Sequence, residues 1–166
     1  MISIIIIIIS LLLDGYLNNI LPSFNLSLFT PMLTLISVII IYPLFKKNNK
    51  RYLITIFITG IVYDLLYTNL LFYNGVLFLL LGLLNIYINK KIQVNYLTII
   101  LIILLNIVVY ILLNSLILYI CNITNISIIK IIYVLTHSII LNFIYGYLLF
   151  IIVRRLSNKN KTRKLN

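Results

Sequence analysis

Acidic residues are almost missing. Among 166 positions there are two, Asp14 and Asp64, against thirteen lysines and arginines. Charged residues of both signs make up 9% of the chain, whereas a soluble domain averages roughly a quarter. That shortage excludes a polar shell around a soluble core. Cysteine occurs once, at Cys121, which excludes an internal disulfide and any site built from several thiolates. No His-Glu-x-x-His pair, glycine-rich phosphate loop or Ser-His-Asp set is present, so no enzyme signature, cofactor or metal site is expected. What fills the chain instead is apolar: 63% of residues are hydrophobic and the mean hydropathy is +1.20. Such a chain takes the bilayer as its solvent.

A membrane-crossing helix needs about 20 mostly apolar residues. Six such stretches are legible: Ile2–Leu21, Leu26–Phe45, Tyr52–Leu70, Phe72–Ile88, Tyr96–Ile120 and Ile128–Val153. The breaks between them are "LPSFN", "KKNNKR", "TNLLFYNG", "NKKIQVN" and "CNITN". Barrel strands alternate apolar and polar residues over about ten positions, but these runs are apolar on every side. The expectation is an all-α bundle of six transmembrane helices over residues 1–153, followed by a basic tail over 154–166. The opening "MISIIIIIIS" has no basic leader and no small-residue cleavage site after it, so it reads as a retained first span.

Basic residues gather on the cytoplasmic side of membrane proteins. Four lie in "KKNNKR", two at Lys90 and Lys91, and six between Arg154 and Lys164. In a six-span arrangement these twelve fall on one face, which puts both termini in the cytoplasm. Only Lys130 lies on the other face. The net charge of +11 therefore marks orientation, and a nucleic-acid partner is not expected; the tail is also placed to meet anionic lipid.

Depth then singles out the polar groups. Asp14 and Asp64 each lie about 18 Å from the cytoplasmic start of their spans at ~1.5 Å per residue. Lys130 and His137, entering from outside on the last span, bracket that level. Charges inside a membrane rarely face lipid and tend to pair or line a wet cavity. Asp14, Asp64, Lys130 and His137 are expected to approach one another in the bundle interior. The alternative is that Lys130 snorkels outward and the acids are protonated, bonded to their own helices. Polar and small residues mark interior faces elsewhere: Gly60, Asp64 and Tyr67 on the third helix, Gly75 and Gly82 on the fourth, Ser138 and Asn142 on the sixth. Such residues join membrane helices by hydrogen bonds and close packing.

The stretch "GIVYDLLYTNLLFYNGVLFLLLGLLNIYINKKI" resembles the central signature of the MreD family, the rod shape-determining membrane proteins of bacteria. Gly60 and Asp64 match its Gly-and-Asp pair, and Tyr63, Tyr67 and Thr68 match the variant of low-GC Gram-positive members. The last span is similar to the family's closing helix, with Ser138 and Asn142 in the places of a Ser or Thr four residues before an Asn. Two positions depart: Phe72 stands where a glycine is usual, with Gly75 three residues later, and His137 where proline is frequent. The resemblance implies a non-enzymatic scaffold at the bacterial cell membrane that works with MreC, the MreB filament and the synthases of sidewall peptidoglycan. A rival reading is the substrate-binding subunit of an energy-coupling-factor vitamin transporter, also a six-helix protein. It would need an outward cavity, lined by Asp14, Asp64, His137 and tyrosines.

Overall fold

The computed structural model describes residues 2–21, 30–45, 48–68, 70–122 and 128–162, with the backbone alone for Lys130 and residues 159–162. Six α-helices follow one another, and no strand occurs among the described residues: α1 (Ile2–Ile20), α2 (Leu33–Ile40), α3 (Asn49–Tyr67), α4 (Tyr73–Lys91), α5 (Thr98–Ile120) and α6 (Ile128–Thr162). A 3-10 turn, Tyr42–Phe45, follows α2. Three helices are long and apolar enough to cross a membrane: Ile2–Ile20, Thr98–Ile120 and the stretch Ile131–Asn158 of α6. α6 continues as helix to Thr162, past the expected boundary between bundle and tail at residue 153.

The largest difference from expectation is α2. The sequence reads as one crossing over Leu26–Phe45, but the helix has eight residues. Residues 22–29 lie outside the described residues. All eight residues of α2 are buried, as is Ile41 after them, and Ile36 and Ile41 have no exposed surface. α2 is the centre of the fold and packs against α1, α4 and α6. The other helices are amphipathic in a different sense. On α1 only Ile7, Ser10, Leu11 and Asp14 are buried, a single stripe at spacings of three and four. Most of the remaining isoleucines and leucines of α1 are exposed, as lipid contact requires, while Ile6 packs against the core.

Local signals set several ends. Asn48 caps α3 by accepting the Arg51 N–H at 3.1 Å. Lys90 and Lys91 occupy the last turn of α4, where positive charge opposes the helix dipole. α2 and α4 begin differently: Met32 and Phe72 stand at their N-caps and neither side chain caps anything.

Candidate functional site: two carboxylates at two helix starts

The first N–H groups of a helix have no partner within it. In water they bond solvent; inside a bilayer each orphan costs several kcal/mol. The two aspartates meet that need. Asp14 on α1 accepts the Leu33 N–H through Oδ1 and the Thr34 N–H through Oδ2, both at 2.8 Å. Asp64 on α3 accepts the Asn74 N–H at 2.8 Å and the Gly75 N–H at 3.4 Å, both through Oδ2. Each helix thus carries the cap of the next one. Negative charge at a helix start is also favoured by the dipole, and bonds to a carboxylate are roughly twice as strong as neutral ones.

Asp64 makes two further contacts through Oδ1. It accepts the Asn74 side-chain N–H at 2.8 Å and the Thr68 hydroxyl at 2.8 Å. The Asn74 amide oxygen in turn accepts the Tyr110 hydroxyl of α5 at 3.0 Å. Three helices are tied at one point, and Asp64, Asn74 and Gly75 are buried there. Gly60, one turn before Asp64, makes the approach possible. A Cβ there would lie 2.5 Å from both the Asn74 carbonyl oxygen and the Gly75 Cα. The Gly-x-x-x-Asp spacing therefore has one physical meaning: the glycine lets the α4 backbone come close, and the acid one turn on caps it.

Further small residues widen the same contact. Gly75 faces Phe57 and Ile61 of α3, and Gly82 sits where any Cβ would overlap the Ile56 side chain. Tyr67 crosses instead to α1, donating its hydroxyl to the Leu11 carbonyl at 2.6 Å. On α6, Asn142 holds the non-helical residues that lead into α2. Its Oδ1 accepts the Met32 N–H at 2.7 Å, and its amide donates to the Thr30 carbonyl at 3.0 Å and the Ser138 carbonyl at 2.7 Å. Ser138 is fully buried and bonds the Leu135 carbonyl of its own helix.

The far end of α2 is held in kind. Tyr52 donates to the Val38 carbonyl at 3.1 Å and Asn85 to the Ile39 carbonyl at 2.8 Å. An eight-residue helix buried along its length has groups at both ends bonded by side chains from α1, α3, α4 and α6.

Of the expected meeting of Asp14, Asp64, Lys130 and His137, the Lys130 side chain lies outside the described residues. Neither aspartate is ion-paired among the described residues. His137 stacks on Tyr133, with ring centroids 3.9 Å apart, and its Nδ1 lies 2.6 Å from the Tyr133 carbonyl oxygen. Among the described residues, both aspartates are engaged by backbone N–H groups. Sequence reasoning missed Asn74, Asn85 and Tyr52. The only trace of the first is a buried-type amide ten residues after Asp64, in "FYNG".

A crevice of about 10 Å³, room for about one water molecule, lies beside Asp14, lined by Met32, Leu35, Tyr63, Phe78 and Tyr110. Small-molecule pockets span roughly 300–1,000 Å³, so the vitamin-transporter reading draws no support from it.

A model of the family described as rod shape-determining protein MreD matches residues 1–160. This chain belongs to the MreD family. No curated relative and no solved structure matches it. Membership in MreD attaches a role in rod-shape determination to the fold, and with the long apolar helices it identifies a membrane protein. The Gly60–Asp64 pair and the Ser138–Asn142 pair of the resemblance are the residues that seat α4 and α2.

Proposed function

We propose that this MreD-family chain is a non-enzymatic scaffold of the cell-elongation machinery. It spans the bacterial cell membrane six times with both termini in the cytoplasm, and it organises sidewall peptidoglycan synthesis together with MreC and MreB. The observation that carries the reading is the family match over residues 1–160. Charge supports the topology, because twelve of the thirteen basic residues fall on one face of a six-span chain. The site supports a scaffold in another way. Both carboxylates are committed to helix starts, and the polar groups around them are turned on one another. Such networks rigidify a structure, and a rigid outer surface suits docking.

Depletion tests it. In a rod-shaped host, cells losing this protein should become round or swollen, and the protein should co-purify with MreC. Rods of normal shape after depletion, with no MreC in the purified sample, would sink the scaffold reading.

A further inference from the structure

Apolar side chains on both sides of the α3–α4 turn are exposed among the described residues. Leu65, Leu66, Leu70, Leu71 and Phe72 are all exposed, with Leu71 at 63% and Phe72 at 56%. Phe72 keeps this exposure in a left-handed backbone, φ 65° and ψ −1°, which a bulky side chain rarely adopts. A strained residue that holds an aromatic ring outward asks for an occupant on the other side.

The lengths of the two limbs say what that occupant is. From Arg51 to Thr68 along α3 is about 25 Å at ~1.5 Å per residue. From Lys90 back to Tyr73 along α4 is about 25 Å by the same rise. The hydrocarbon core is about 30 Å thick. With Arg51 and Lys90 at the aqueous boundary, both limbs end short of the opposite headgroups, and any tilt shortens them more. The turn also carries its own polar satisfaction. Asp64 takes the Asn74 and Gly75 N–H groups and the Thr68 hydroxyl, so this part of the turn needs no water.

We propose that the α3–α4 turn is sunk in the outer leaflet, and that Leu70, Leu71 and Phe72 form a contact surface for lipid acyl chains. A hairpin shorter than the core draws the bilayer thinner around it. This goes beyond the scaffold reading and takes from it the aqueous placement of Arg51 and Lys90; α3 and α4 remain two of its six passes, crossing a bilayer locally thinned to meet them. It gives Asp64 its reason: a helix that starts inside hydrocarbon has to be capped by protein.

The chain has no tryptophan, so a single Phe72→Trp substitution installs a unique probe in the full-length protein. Leu71→Trp, at a residue without positive φ, serves as a second variant should the first not fold. Each would be reconstituted in phosphatidylcholine vesicles, with lipids brominated on the acyl chains as one quencher and aqueous acrylamide as the other. The expected result is blue-shifted emission, lost to the brominated lipid and insensitive to acrylamide. Red-shifted emission quenched by acrylamide would put the turn in water and overturn the proposal. Blue-shifted emission protected from both quenchers would put protein over the turn and overturn lipid as its occupant. The scaffold reading stands or falls on cell shape, so either proposal can fail alone.

Discussion

Asp64 and Asn74 meet across the α3–α4 turn through two hydrogen bonds at once: the Asn74 backbone N–H reaches Oδ2 and its side-chain amide reaches Oδ1, each at 2.8 Å. One carboxylate thereby fixes both the start of α4 and the rotamer of the residue that carries the link on to Tyr110. The following outcomes depend on that arrangement and on its counterpart at Asp14.

Asp64→Leu removes every acceptor from these donors and leaves them buried. An unsatisfied buried group costs about 1–3 kcal/mol, so a loss of about 3 kcal/mol or more is expected. Asp64→Asn keeps one acceptor oxygen and should lose less than half as much. Thermal unfolding of the purified protein in detergent ranks the two. Equal losses would mean that the carboxylate oxygens are not what holds α4.

Gly60→Ala and Gly75→Ala are chemically the same change with different surroundings. At Gly60 the new methyl meets backbone, which cannot swing aside; at Gly75 it meets the Ile61 and Phe57 side chains at 3.3 and 3.4 Å. Overpacking costs about 1–3 kcal/mol, and Gly60→Ala should fall at the top of that range with Gly75→Ala near its bottom. The same unfolding assay, together with protein levels in cells, checks the order.

Phe72→Gly should stabilise the fold. The left-handed conformation costs a residue with a Cβ roughly 1–2 kcal/mol, while glycine's added freedom in the unfolded chain returns roughly 0.5–1 kcal/mol of that. A net gain of about 0.5–1 kcal/mol follows. An unchanged or lowered unfolding temperature would show that the turn is not strained at Phe72.

Asn142→Ala strips the partners from the Met32 N–H and the Thr30 carbonyl, next to the N–H groups that Asp14 holds. A loss of about 2 kcal/mol is expected. Combined with Asp14→Asn, the effect should depart from additivity, because both changes loosen the same end of α2. Strict additivity in a double-mutant cycle would place the two groups in separate units.

Topology has a built-in reporter. Cys121 is the sole cysteine and is exposed at the end of α5, the end away from Lys90 and Lys91. With both termini in the cytoplasm, a membrane-impermeant maleimide added outside intact cells should label it, and a tag at Asn166 should stay protected from external protease. Labelling only after lysis would force a different span count.

Much was legible without coordinates. The near-absence of acids, the long apolar runs and the one-sided basic clusters determine a helical membrane protein and mark one aqueous end, because transfer of charge into hydrocarbon is costly at every position. Five of the six helices lie close to where those runs place them. Gly60, Asp64, Ser138 and Asn142 stand out as interior residues because polar or small groups on an oily helix need a neighbour. Two things were left to the tertiary structure. The shortness of α2 was hidden because lipid and packed helices are equally apolar surroundings, so a buried eight-residue helix and a crossing helix share one hydropathy. The helix-start partners of Asp14 and Asp64 were hidden because they are backbone N–H groups. Every residue except proline carries one, so composition and spacing hold no sign of which N–H groups a fold will leave without water.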